Sequence, residues 1–508
     1  MKKIPVVLLV LTVIFAGSCA RKTSDIVKNI PDHAFLVASL HPGQIYEKGE
    51  IKSLESLTKN IDNKLAQSIL KDPTKSGVDI NDYLWMFVYF VQDEPVMGLT
   101  ASLKNAGDFR KMVEELMEDD DQEIIAHKGY SMVTLEGDEA AMAWNDDQVI
   151  FLASPDQVMT AGDWQTELVR LYDLTAEESV VSIVDFKDFS GKMEDMNAWF
   201  TGDELKKVLE KTGALEGMEL DLPVDLYNNY GQVFVEFAEG AMVVRSETHF
   251  SDDVTKAAES FMVTKEELNA DLLELAPGND LLMAMAFSLD LDKAKKLMKN
   301  FNPPGMDSVP GQIENITGVP GDEILDALNG DFVIAVNGAA EGAPLPIEIM
   351  IGIGLDDATL QEKLMGTVGN MAKVEKEGDF FMINANGMEI YSGIVNNVWV
   401  ITNTPGYKDA VKGEGLAGTL GDSKFKDYAG GSMGMYMNLD LTTYPAALQS
   451  MMAQGGAMEM MNMVAESFDY MGMEGSNKES VMTLKTAKDK ENSLYTLMRI
   501  MEKAAEQN

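Results

Sequence analysis

One residue in this chain has a position that by itself implies chemistry: Cys19, the only cysteine among 508 residues. It follows Ala16-Gly17-Ser18, and before these come Lys2, Lys3 and an apolar run from Ile4 to Phe15. A basic start, a short apolar stretch and small residues at a cut site make a secretion signal. The run falls well short of the roughly 20 apolar residues that a membrane-crossing helix needs, so the sequence predicts that residues 1–18 are removed. Cleavage there leaves a thiol at the first mature position, where the sulfur can take a diacylglycerol and the new amine a further acyl chain. Two or three such chains anchor firmly where one does not. Ordinary cleavage is the competing reading, since Ala16-Gly17-Ser18 also fits a small-residue cut site. The sole cysteine falling at that position favours lipid attachment at Cys19.

Other residue patterns invite chemistry and fail on context. Gly430-Gly431-Ser432-Met433-Gly434 matches the G-x-S-x-G of hydrolases, but a nucleophile elbow needs a strand before the serine and a helix after it. Here the alternating apolar run Met433 to Leu439 comes after. The four histidines, His33, His41, His127 and His249, are scattered and form no spacing with that serine. Glu114, Glu115, Glu118, Asp119, Asp120, Asp121 and Glu123 offer hard oxygen ligands for calcium. They lack the loop spacing and central glycine of a calcium hand, and a block of like charge is normally solvated. No metal or cofactor is expected.

Methionine is abundant, with 36 residues, and thioethers can bind Cu(I). Tyr444-Pro445-Ala446-Ala447-Leu448 opens a helix with proline in its first turn, and Leu448, Met451 and Met452 then fall at i, i+3 and i+4, a core stripe. Gly455 and Gly456 break it. Beyond them Met458, Met460, Met461 and Met463 are candidates for an adaptable apolar groove, because methionine repacks around varied partners.

These residues need a body to hold them. With 83 acidic against 41 basic residues, a net charge of −42 and 45% hydrophobic residues, the chain is a folded acidic protein. Phosphate recognition demands clustered Lys and Arg, so nucleic acid is excluded as a partner. The acidic excess also opposes lying flat on anionic headgroups. Once Cys19 is acylated, no disulfide is possible and burial must supply stability.

The chain reads as one unit written twice. Ile30-Pro31-Asp32-His33-Ala34 leads into Phe35 to Leu40, and Ala276-Pro277-Gly278-Asn279-Asp280 leads into Leu281 to Ala286. Asp146 to Pro155 is answered by Asn396 to Pro405, each a turn, a strand and a proline stop. Tyr83 to Phe90 and Asp331 to Val336 are strands, each followed by a second strand and a helix. Glu178 to Phe186 is matched to Gly431 to Leu439 as a further strand. All four pairs lie about 250 residues apart. The expectation is α+β: two tandem homologous domains, each a mainly antiparallel sheet packed with helices. The signal peptide covers 1–18, a tether 19–28, the first repeat 29–262 and the second 263–508. Thr264-Lys265-Glu266-Glu267-Leu268 reads as a capped helix joining them, and Asn302 to Pro310 as a Pro/Gly-rich loop within the second.

Three phrases together carry a family resemblance: the cysteine of the leader, Ile30-Pro31-Asp32 with its strand, and Lys71-Asp72-Pro73-Thr74-Lys75-Ser76-Gly77-Val78-Asp79-Ile80 leading into Tyr83-Leu84-Trp85-Met86-Phe87-Val88. The chain resembles the Bacteroidota lipoproteins grouped as domain of unknown function 4836 over nearly all of its mature length. The resemblance implies an address and no activity. Ala20-Arg21-Lys22-Thr23-Ser24 lacks the acidic run that resembles a surface-export tag in such lipoproteins, so the expected place is the cell envelope, lipid-anchored at an outer membrane and facing the periplasm. The expected role is non-enzymatic binding or scaffolding, with a membrane held through the lipid on Cys19 and an envelope protein or apolar ligand as partner. The alternative is an enzyme using carboxylate acid/base chemistry.

Overall fold

The computed structural model describes residues 25–54, 64–117, 123–135, 139–154, 159–202, 229–251, 263–295, 314, 317–369, 372–385, 388–404, 406–412, 415–416, 418–453 and 458–506. Cys19, Glu118 to Asp121 and the loop Asn302 to Pro310 lie outside them. The chain forms two compact units. One takes the described residues up to Gly202, from Asn229 to His249 and from Asp489 onward; the other takes those from Phe250 to Lys488.

The first unit is a sheet of β1 (Leu36–Leu40), β2 (Leu84–Val91), β3 (Glu94–Ser102), β4 (Ile125–His127), β5 (Tyr130–Thr134), β6 (Ala140–Trp144), β7 (Gln148–Ala153), β8 (Met196–Thr201), β9 (Tyr230–Ala238) and β10 (Ala241–His249). These pair antiparallel in the order β10-β9-β8-β1-β2-β3-β7-β6-β5-β4. Gln92 and Asp93, with φ of 52° and 65°, make the tight left-handed turn that joins β2 to β3 with the right twist.

Strand side chains alternate between faces. On one face Trp85, Phe87 and Trp199 pack under the helices Ala161–Tyr172 and Val184–Gly191 through Trp164, Leu168, Phe186 and Phe189. Toward the other face Leu99, Ala101 and Phe151 meet Ile69 and Phe109 of the helices Lys64–Lys71 and Ala106–Leu116. Each large side chain so buried contributes roughly 1.5–3 kcal/mol of transfer free energy.

In the second unit the strands are β11 (Leu281–Ser288), β12 (Leu328–Gly338), β13 (Ile347–Leu355), β14 (Lys373–Glu377), β15 (Phe380–Ala385), β16 (Met388–Val395), β17 (Val398–Thr402), β18 (Met433–Asn438), β19 (Phe468–Gly475) and β20 (Glu479–Thr486). They also pair antiparallel, in the order β20-β19-β18-β11-β12-β13-β17-β16-β15-β14. Lowering every label by ten gives the order of the first unit. The architecture is α+β. Its main core gathers Ala284, Ala286, Val333, Ala335, Tyr407, Phe425 and Tyr428.

Four expectations fail, each for a local reason. Glu178 to Phe186 is not a strand: Ser179 accepts a hydrogen bond from Val181 N, a 3-10 turn covers Val180–Ser182, and the helix Val184–Gly191 follows. A β-branched run reads as a strand, but Val184 is 70% exposed, so the run never forms one buried face. Sheet position pairs β18 with β8 instead, and Phe186-Lys187-Asp188-Phe189 with Phe425-Lys426-Asp427-Tyr428. Second, Thr264 forms an isolated bridge with Leu289, and the helix Ala270–Leu275 is capped by Asn269. Third, in the helix Ala446–Ala453, Met451 is 63% exposed and Leu448 and Met452 are half-buried, so they form no core stripe. Last, the second unit does not extend over the C-terminal helix: Ser493–Glu506 belongs to the first unit. There Asn492 Nδ2 donates to the Phe237 carbonyl at 2.9 Å and Gly240 N to that of Glu491 at 2.9 Å.

Candidate functional site

Strand β11 reads Met283-Ala284-Met285-Ala286-Phe287 and β18 reads Met433-Gly434-Met435-Tyr436-Met437. A period of two splits each into faces. The small or core residues turn inward, where Ala284 and Ala286 are buried. The methionines and Phe287 turn the other way, with Met283 opposite Met437, Met285 opposite Met435 and Phe287 opposite Met433. The strip continues through Phe332, Ile334 and Val336 on β12 and Ile349 and Ile351 on β13. On the far side it continues through Met471 and Met473 on β19. Its width is roughly 19 Å, four strand spacings of about 4.8 Å. Met433 is 37% exposed and the rest are half-buried. These outward methionines belong to neither core of the unit, and no position on the strip carries a charge.

A second feature is polar and lies on the first unit. The helix Val184–Gly191 and strands β9 and β10 enclose a groove of about 460 Å³. Its floor continues an aromatic stack: Trp199 to Tyr230 at 4.3 Å between ring centroids and Tyr230 to His249 at 4.7 Å, nearly parallel. Burial first, and then the Asp185 carboxylate beside it, pushes the Tyr230 phenol up to about 12. Gln232 lines the groove, and its buried Oε1 has no hydrogen-bond partner among the described residues.

Several other buried polar groups form networks that pin elements. Asp195, 1% exposed, accepts from Lys48 Nζ at 2.6 Å and from the backbone N–H of Phe237 at 2.6 Å. His41 caps the helix Pro42–Lys48 by accepting from Gln44 N at 3.3 Å, and burial lowers its pKa. The Tyr89 hydroxyl donates to Glu167 Oε1 at 2.7 Å, which Arg170 also binds at 2.6 Å. Ser432 is buried at the start of β18, and its Oγ lies 3.4 Å from the Gly475 carbonyl, so it presents no nucleophile. Among the described residues no group of three or more His, Cys, Asp or Glu is placed to hold a metal.

Of the methionines singled out in the sequence, Met458, Met460 and Met461 lie on the helix Met458–Ser467 with side chains outside the described set, and Met463 is buried. The outward strip was missed. Its signal was available: methionine alternating with alanine or glycine on two strands, a pattern in which only one face can be core.

Crystal structures of the protein TP0453 resemble part of the chain. Form IV matches at 11% identity and a TM-score of 0.29 over 50% of this chain and 91% of that one. Form III matches at 8% and 0.28 over 48% and 90%. No curated protein matches this sequence. The family model described as Domain of unknown function (DUF4836) matches residues 28–494, and the chain belongs to that family.

Proposed function

We propose that this chain is a lipid-anchored binding protein of the cell envelope, built by duplication of one ten-stranded unit, whose ligand is an apolar chain held on the methionine strip of the second unit. The observation that carries the reading is the alternation on β11 and β18. Folding requires one apolar face per strand; here the outward face is apolar as well, uncharged and half-buried. A contiguous apolar surface left partly open among the described residues marks an interaction site. Methionine, with three rotatable bonds and a polarisable sulfur, adapts to ligands of irregular shape. A protein interface would carry about one hydrogen bond per 100–200 Å². The side chains of this strip offer only hydrocarbon and thioether groups, which favours an acyl-like occupant. Duplication is supported by the shared strand order, by the Phe-Lys-Asp-Phe and Phe-Lys-Asp-Tyr helices at matching places, and by Pro31 and Pro277 each forming an isolated bridge, to Ser179 and Thr419. Attachment through Cys19 would hold the strip close to a source of acyl chains.

The test uses the mature chain and the neutral dye N-phenyl-1-naphthylamine, since the large excess of acidic over basic residues disfavours an anionic probe. Saturable enhancement of its emission, lost in the Met285→Glu, Met435→Glu double variant, is expected. A folded wild type that leaves the dye dark, or a double variant that brightens it equally, ends this reading.

A further inference from the structure

Methionine is concentrated on the outward face of the second unit beyond what an apolar surface requires. On β18 and β19 Met435 is opposite Met473 and Met437 is opposite Met471, and on β11 Met285 and Met283 flank the two pairs. The first unit shows the same sheet positions filled differently. Trp199 opposite Gln232 matches Tyr436 opposite Gly472, so the four places held by methionine correspond to Ala198, Phe200, Gly231 and Val233. There the Phe200 ring lies over Gly231, where an added Cβ would sit 2.0 Å from its Cζ. Hydrocarbon alone therefore serves this face of the duplicated unit, and what the second copy adds is thioether sulfur. The geometry points to a binding site for a soft monovalent cation, Cu(I), held by Met435, Met437, Met471 and Met473.

Directly opposite residues of an antiparallel pair have Cβ atoms about 4.5–5.5 Å apart, and residues two apart on one strand are separated by roughly 7 Å. The four methionines thus stand at the corners of a small rectangle on one face of the sheet. Each sulfur is two bonds beyond Cβ on an unbranched side chain with three rotatable bonds, so three or four of them can converge on an ion above the centre. None of the four belongs to a core of the unit, and each is half-buried, so turning the sulfurs inward disturbs no core packing. The donor set selects the ion. Thioether sulfur suits Cu(I), whereas magnesium, calcium and manganese need oxygen ligands, and the strip carries no carboxylate. The excess of 83 acidic over 41 basic residues draws cations to the chain. The inference does not rest on the apolar-chain reading, since it uses the sulfur of these side chains and not their hydrocarbon.

The experiment titrates the mature full chain, carrying Cys19→Ser so that no thiol competes, with Cu(I) in acetonitrile under argon, and follows binding by calorimetry. The expected result is saturable uptake, with affinity lowered tenfold or more when Met435→Leu and Met473→Leu are combined. Leucine keeps the size and apolarity of methionine, and a matching Tm shows that the combined variant is folded. X-ray absorption at the copper edge of the loaded Cys19→Ser chain should show a first shell of sulfur alone, a readout that does not depend on the leucine variant. Absence of saturable uptake overturns the inference, as does equal affinity in the folded leucine variant or a first shell of nitrogen or oxygen. The titration contains no apolar ligand, so its outcome is separate from that of the dye test.

Discussion

Met285 and Met435 stand directly opposite each other on β11 and β18, on the side of the sheet away from the buried Ala284 and Ala286. Neighbouring residues on one strand therefore have opposite tolerances. Replacing Met435 by glutamate puts a charge where water can reach it and should cost about 1 kcal/mol or less. Replacing Ala284 by methionine forces a long side chain into a filled core and should cost about 1–3 kcal/mol. Urea midpoints of the two variants at equal protein concentration check the ranking. A larger loss in Met435→Glu than in Ala284→Met would mean that the outward strip is itself core.

The strand order of each unit was partly legible because turns and alternation are local signals: Asp146 to Ala153 and Asn396 to Thr402 announce their hairpins directly. The matched helices were missed because Phe186-Lys187-Asp188-Phe189 follows a β-branched run that imitates a strand. Only the Ser179 cap and the exposure of Val184 reveal the turn. The methionine strip was misplaced for a different reason. A cluster in sequence, such as Met458 to Met463, attracts attention, whereas the strip is assembled from five strands separated by up to about 190 residues. The groove of the first unit was not legible at all. It is assembled from the end of the helix Val184–Gly191 and strands β9 and β10, and no single segment encodes that.

The buried His41 makes the stability of the first unit pH-dependent. Burial is the largest influence on its ring and disfavours the imidazolium, and the opposing carboxylates of Asp195, Asp82 and Glu47 do not outweigh it. The unfolded chain takes up the proton near the ordinary value of 6.5, the folded chain only at lower pH. A depressed folded pKa means that the contribution is complete above pH 6.5 and is lost as pH falls through the folded value. His41→Asn keeps an acceptor for Gln44 N and removes the titration. Its stability should therefore fall less steeply below pH 6.5 than that of the wild type. Parallel curves would show that the ring is not the titrating group.

The proposed acylation at Cys19 has a direct chemical readout. Cells fed an alkyne analogue of palmitate should label the wild-type chain and move it into the detergent phase of a phase partition, because two or more acyl chains hold a protein to a bilayer. The Cys19→Ser chain should remain unlabelled and aqueous. Label retained in that variant would assign the lipid elsewhere.

The C-terminal helix supplies the last prediction, because it closes a unit begun some 450 residues earlier. Asn492 binds the Phe237 carbonyl, the Phe237 N–H binds Asp195, and Asp195 holds Lys48 at the end of the helix Pro42–Lys48. Leu494 and Thr496 are buried in the same place. Removing residues 489–508 uncovers this chain of contacts at once. A few buried groups at about 1–3 kcal/mol each make a loss that a marginally stable unit feels. Hydrogen exchange followed by mass spectrometry should then show faster exchange in β9, β10 and Pro42–Lys48, with little change in β14 to β16 of the second unit. Equal acceleration in β14 to β16 would mean that the helix stabilises the second unit as much as the first, against its assignment. Unchanged exchange in β9 and β10 would mean that it stabilises neither.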